Sequence, residues 1–269
     1  MWKSTIAASA LCLAGVSTIA AETCAEGKTL QDGVLTIATG NPAYYPWVID
    51  DAPESGKGFE AAVAYAVAAE MGFANNAVVW TRTSFDQAIQ PGQKDFDLNL
   101  QQFSITEARD KVVDFSAPYY TAPMAVLVRG GAALTPDLAT LKKLKWGVVA
   151  TTTALPVVLE TIDPDSSPLI YDDTANVAEA MKANQIDAGL FDLPTALYMS
   201  VAVLEGGQVL GQFAPDETDN PDHFGMILAE GNPLKDCVDA ALKALKSNGT
   251  LDAIEAQWLL DATGVPRIE

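Results

Sequence analysis

Arg109 is the residue of this chain best suited to hold a small anion, and its neighbours are placed to help it. It lies within residues 101–120, QQFSITEARDKVVDFSAPYY, directly after the alternating run Phe96-Asp97-Leu98-Asn99-Leu100. Such alternation reads as a strand, so Gln101, Gln102 and Ser104 fall at its tip, and Thr106 opens a short helical turn carrying Arg109. A guanidinium is a rigid planar fork that meets a carboxylate in bidentate fashion. The chemistry is gripping a carboxylate rather than breaking a bond. Taken alone, Arg109 is equally placed for a surface ion pair with Glu107 or Asp110.

Three more places set a polar group just past an apolar strand, which is where open α/β sheets bind ligands. They are Asn41 to Trp47, Thr151 to Thr153, and Asp192. With Arg109, the Ser104 hydroxyl and the Thr153 hydroxyl and amide make an anion grip, helped by the positive end of a helix starting there. Asp192, with a backbone carbonyl near Gln102, makes an acceptor for an ammonium. Those two halves are what an α-amino acid requires. Tyr44, Trp47 and Phe85 offer an aromatic wall, and Asn41 a neutral group at the side-chain end. Each also has a plainer use: the threonines and Asp192 as helix caps, the aromatics as core.

Catalytic signatures are lacking. The chain has no nucleophile elbow, no HExxH helix, no P-loop and no spaced zinc-ligand motifs. His223 is the only histidine and falls in a segment expected to return the chain between units. Asp50-Asp51 and Asp172-Asp173 are adjacent acids in loops, as solvated turns have. If turnover occurred, Glu60 and Asp192 would be its acids. No catalytic residue, metal or cofactor is expected.

The elements that must position these groups follow from periodicity. Residues 33–39 alternate as a strand and end at Gly40-Asn41-Pro42. Residues 58–73 place Phe59, Val63, Val67 and Met71 one helical turn apart, on a core-facing helix. Strands are expected at 78–80, 124–128, 146–150, 186–192 and 224–228. Helices are expected at 85–90, 138–144, 155–161, 177–183, 237–245 and 251–260, with another beginning at Leu193-Pro194. Strands alternating with helices mean an α/β architecture with a mainly parallel sheet.

Met1-Trp2-Lys3, the small apolar run 6–19 and Ala20-Ala21 read as a secretory signal peptide, residues 1–21. The run is too short to span a bilayer, which takes roughly 20 residues. A formal charge of −19 argues against nucleic acid and anionic lipid as partners. Cys12 leaves with the leader. Cys24 and Cys237 remain, and an even count in an oxidising compartment favours a disulfide.

From residue 33 to 260 the chain resembles the bacterial extracellular solute-binding proteins of family 3, the periplasmic receptors that serve ABC importers of polar amino acids. The matching pieces are Tyr44-Tyr45-Pro46-Trp47, Gly58-Phe59-Glu60, Ser104-Ile105-Thr106-Glu107-Ala108-Arg109 and Val113-Asp114-Phe115-Ser116-Ala117-Pro118-Tyr119-Tyr120. In the second half they are Thr151-Thr152-Thr153, Ile186-Asp187-Ala188 and Phe191-Asp192-Leu193-Pro194. The resemblance implies a periplasmic-binding-protein-like fold: two α/β lobes, 22–126 with 219–269 and 127–218, joined by a two-strand hinge over a ligand cleft. It implies that Arg109, Ser104 and Thr153 hold a ligand carboxylate, that Asp192 holds the α-ammonium, and that Tyr44 stacks on the side chain. It further implies a permease partner, a monomeric receptor and no turnover.

The chain departs from the family where Gln101-Gln102 replace small residues, where Thr151 replaces a common Gly, and where Asn41 replaces the acid frequent in receptors for basic amino acids. No cationic residue besides Arg109 falls clearly at the expected cleft, which weighs against a second ligand carboxylate. A polar or neutral side chain is therefore the expected ligand. Two alternatives remain at this point. A periplasmic dehydratase acting on cyclic amino acids resembles the same fold. A betaine- or opine-type ligand could use the aromatics as a cage.

Overall fold

The computed structural model describes residues 24–130, 133–213, 222–259 and 264–268, so the leader expected at 1–21 lies outside the described residues. Along the chain the strands are β1 (Leu35–Thr39), β2 (Val78–Arg82), β3 (Leu98–Asn99), β4 (Asp114–Phe115), β5 (Tyr120–Ala122) and β6 (Met124–Val128). They continue as β7 (Trp146–Val149), β8 (Leu169–Tyr171), β9 (Ala188–Asp192), β10 (Gln208–Phe213), β11 (Asp222–Phe224) and β12 (Ile227–Leu228). Two five-stranded sheets result, β2-β1-β3-β12-β4 and β10-β6-β9-β7-β8, with β5 and β11 paired between them. The molecule is a two-lobed α/β fold.

Both sheets are mixed, which corrects the expectation of mainly parallel ones. In the first, β1 runs parallel to β2 and β3, while β12 lies antiparallel to β3 and β4. In the second, β7 runs parallel to β8 and β9, while β6 lies antiparallel to β9 and β10. Strands linked through helices run parallel, whereas β6 and β12 follow directly from the β5/β11 pair and enter their sheets against that direction.

Burial follows the pleat. In β6, Ala125 and Leu127 join one apolar cluster and Val126 and Val128 another, so both faces of the second sheet are covered. A strand covered on both faces reads as an unbroken apolar run, as this one does. In the first lobe, helix Phe59–Glu70 buries Phe59, Val63 and Val67 against Leu35 and Ile37 of β1. Fully burying an aromatic such as Phe59 contributes roughly 1.5–3 kcal/mol.

All five residues of β6 pair within the second sheet, so the change of lobe expected after residue 126 instead precedes Met124. The tail was expected with the first lobe and also crosses over. Ile268 N donates to Gln212 O and Gln212 N to Pro266 O, each at 2.9 Å, and Val265 and Ile268 pack on second-lobe clusters. Cys24 and Cys237 form the expected disulfide, with Cα atoms 5.7 Å apart; Cys237 lies in helix Lys235–Ser247. Among the described residues, no helix is long and apolar enough to cross a membrane.

Candidate ligand-binding cleft

A cavity of about 170 Å³ lies between the two sheets. That is small beside the roughly 300–1,000 Å³ of pockets for drug-sized ligands, and suits a small solute. Its lining includes Tyr44, Trp47, Phe85, Gln102, Ser104, Arg109, Thr153 and Asp192, eight of the nine groups singled out from sequence. The ninth, Asn41, is exposed and does not line the cavity. Turn 40–43 carries its side chain outward while the next residues bend in, so its neutrality says nothing about the ligand.

The first wall is built on the start of helix Phe59–Glu70. Phe59 N donates to Pro46 O at 2.9 Å and Glu60 N to Trp47 O at 3.0 Å, tying the aromatic turn to the helix. Gly58 makes this possible: its φ is 104°, and a Cβ there would lie 2.5 Å from Trp47 O. The seam sets Trp47 and Glu60 side by side on the cavity wall. Phe85 is delivered by a capping box, in which Ser84 Oγ accepts from Gln87 N at 3.3 Å and Gln87 Oε1 from Ser84 N at 3.4 Å. Its ring lies 4.5 Å from that of Phe103 and 5.2 Å from the Arg109 guanidinium, so Phe85 steadies the arginine from one side.

Arg109 is only 8% exposed and makes no ion pair with Glu107 or Asp110. Nη1 donates to Ser104 O and Nη2 to Thr151 O, both at 2.8 Å, so one guanidinium bridges the lobes. Burial lowers its pKa, against which nearby Asp222 acts. Ser104 Oγ and Thr153 Oγ1 share a hydrogen bond at 3.3 Å, again from opposite lobes. Thr153 precedes helix Ala154–Pro156 and makes no side-chain cap, which leaves its hydroxyl to the cleft.

Asp192 ends β9 and does cap the next helix, its Oδ1 accepting from Thr195 N at 2.8 Å. Capping and cavity lining coexist because a carboxylate has two oxygens. Burial, more than the like charge of Asp222, raises the Asp192 pKa to about 6. Thr195 also joins the lobes, accepting from Trp47 Nε1 at 2.9 Å. Thr151 Oγ1 donates to Asp86 Oδ1 at 2.7 Å, and the Tyr45 and Tyr198 rings stand 4.6 Å apart. These contacts describe a closed cleft.

Two lining residues had no binding role in the sequence reading. Glu60 was weighed only as an acid for turnover. It is 1% exposed and accepts from Gln102 N at 2.7 Å, from Gln102 Nε2 and from the Tyr119 hydroxyl. Burial nonetheless raises its pKa to about 7. These bonds hold Gln102 at φ 52°, a left-handed conformation that a non-glycine residue adopts only under local constraint. Asp222 opens β11, and its Oδ2 accepts from Thr153 Oγ1 at 3.2 Å, which makes Ser104 the donor in the Ser104–Thr153 bond; burial raises the Asp222 pKa. Its one sequence signal, an acid preceding the apolar return strand, is hidden by the acids just before it.

Two lobes, a paired-strand hinge and polar groups converging from both lobes define a receptor that closes over a small solute. The chain belongs to the bacterial extracellular solute-binding proteins, family 3, whose model matches residues 35–261. Among relatives, the arginine-binding periplasmic protein of Mannheimia haemolytica is 28% identical over 224 residues, 81% of this chain and 88% of the relative. The ABC transporter glutamine-binding protein GlnH of Bacillus subtilis (strain 168) is 30% identical over 61% of this chain and 58% of the relative. Among solved structures, an ancestral arginine-binding protein bound to glutamine is 28% identical with a TM-score of 0.69, covering 85% of this chain and 98% of that one. The ancestral amino acid-binding protein AncCDT-1, a precursor of cyclohexadienyl dehydratase, is 28% identical with a TM-score of 0.68, covering 85% and 96%. Members of the family are periplasmic or extracellular solute-binding proteins, and the named curated relatives are binding proteins.

Proposed function

We propose that this protein is an exported, monomeric receptor that closes over one amino acid, or a close derivative, and delivers it to the permease of an ABC importer. The observation that carries the reading is the meeting of Arg109 and Ser104 from one lobe with Thr153 and Asp192 from the other around one cavity. In it, Arg109, Ser104 and Thr153 take the ligand carboxylate and Asp192 the ammonium. Tyr44 and Phe85 face the side chain, while Trp47, packed against Phe59, Tyr120 and Phe224, is the rigid back of the wall. Closure is a population shift, driven by ligand contacts made to both lobes at once. The preference for a polar or neutral side chain rested on Asn41, which does not line the cavity, and on the lack of a second cation there; the second ground still stands against a second ligand carboxylate, and a cationic side chain is left open.

Binding without turnover fits the state of the acids. Glu60 spends both oxygens on three donors from its own lobe, and Asp192 gives one oxygen to Thr195, so each is engaged in holding the wall of the cleft. The test is a thermal-shift screen of refolded, ligand-stripped mature protein against amino acids, betaines and opines. A ligand far above its dissociation constant raises the melting temperature by mass action. A large shift from an α-amino acid, lost in Arg109→Ala, is the expected result. Shifts only from compounds lacking an α-ammonium would overturn it.

A further inference from the structure

Asp222 stands where a ligand carboxylate would be expected. Thr153 of the anion grip already donates to it at 3.2 Å, Ser104 is hydrogen-bonded to Thr153 in turn, and Asp222 lines the same cavity as Arg109 and Asp192. Its backbone is held by pairing with Ala122 in the β5/β11 ladder, at the hinge itself. Among the described residues Arg109 is the only cationic residue lining the cavity, against Glu60, Asp172, Asp173, Asp192 and Asp222, and Asp222 is the acid that acts on it. Asp192, Asp172 and Asp173 then have no cation of their own among the lining residues. Among the described residues, no three acids, histidines or cysteines are spaced to hold a metal ion, and a cationic solute would supply the positive charge that the lining lacks.

We propose that Asp222 is a specificity-determining residue: a carboxylate built into the hinge, which balances Arg109 and biases the cleft toward ligands of net positive charge. For a zwitterion, the ligand carboxylate shares Thr153 with Asp222 at a cost in repulsion. A second positive charge on the ligand offsets that cost, and a second negative charge doubles it. In a partly buried site, one charge shifts affinity about tenfold or more. The proposal rests on the amino-acid reading above for its choice of ligands.

The experiment is isothermal titration of the refolded mature protein with L-arginine, L-glutamine and L-glutamate, which differ chiefly in side-chain charge. Arginine is expected to bind most tightly and glutamate least. Asp222→Asn keeps the size and an oxygen for Thr153, and is expected to cut the preference for arginine over glutamine about tenfold. Asp222→Glu keeps the charge and is expected to retain the preference. An unchanged arginine-to-glutamine ratio in Asp222→Asn, or equal loss of both, overturns the proposal. If none of the three binds a cooperatively folded protein, the amino-acid reading falls by itself. The Asp222 proposal is then read on agmatine against 4-guanidinobutyrate, which share a guanidine and differ in carrying an ammonium or a carboxylate. Preference for agmatine that falls in Asp222→Asn supports it; an unchanged ratio, or no binding of either, overturns it.

Discussion

Trp47 donates its indole N–H to the hydroxyl of Thr195, 2.9 Å away on the opposite lobe, and the backbone N–H of that same Thr195 holds the carboxylate of Asp192. The wall of the cleft and the acid proposed to take the ligand ammonium thus share one residue. Trp47→Phe keeps an aromatic ring and removes the bond. A neutral hydrogen bond contributes about 1 kcal/mol net, so ligand affinity is expected to fall roughly fivefold. The loss should appear mainly in the dissociation rate, measured by stopped flow, because the bond exists only when the cleft is shut.

Arg109→Lys preserves the charge and loses the fork that reaches Ser104 O and Thr151 O together. Affinity is expected to fall about a hundredfold, since hydrogen bonds to charged groups contribute about 1.5–3 kcal/mol each. The melting temperature without ligand should change far less. Equal affinity of Arg109→Lys and the parent in titration calorimetry would show that the fork is not needed.

Glu60 makes ligand-free stability depend on pH in an unusual direction. Its pKa rises from an ordinary 4.5 to about 7 on folding, so the folded state holds a proton that the unfolded chain releases. Its contribution is fully present below about pH 4.5 and lost as pH climbs to about 7; Asp192, raised to about 6, acts the same way at somewhat lower pH. At about 1.4 kcal/mol per pKa unit, Glu60 accounts for roughly 3 kcal/mol at most. Scanning calorimetry across pH 4.5–7.5 is expected to show a downward slope that Glu60→Gln flattens by several degrees. An unchanged slope in Glu60→Gln would remove Glu60 as its source.

The Cys24–Cys237 bridge closes a loop with a sequence separation of 213. Replacing both cysteines by serine is expected to cost roughly 3–5 kcal/mol, chiefly by freeing the unfolded chain. Neither cysteine lines the cavity, so ligand affinity is expected to hold. Chemical denaturation and titration on the same variant separate the two effects.

Long periodic elements and the main site were legible because local pattern and tertiary role agree there. Helix Phe59–Glu70 announces itself by its buried spacing, and Arg109, Ser104, Thr153 and Asp192 by following apolar strands. Four strands were not anticipated: β4 and β5, only two and three residues long, and β8 and β10. β10 carries Gly211 beside a register shift, and β8 has exposed Leu169 and Ile170 that mimic no alternation. The stretch 224–228 reads as one strand but breaks at Gly225-Met226, where the chain leaves the hinge pair for the first sheet. Asn41 was misplaced because a turn residue's direction depends on backbone dihedrals that composition does not encode. Asp222 and Glu60 entered the cleft through long-range packing, with separations from their partners that no local window spans.

The segment at residues 264–268 gives the molecule a third strap across its joint. Cys24 is moored to the first lobe through Cys237, whereas Pro266 and Ile268 are laced to Gln212 on the second. Fluorophores placed near residues 24 and 268 therefore ride on different halves and would report opening directly, leaving the cleft itself unlabelled. A purification handle fused after the strap, by contrast, would load the very joint whose stiffness sets how readily the empty receptor gapes.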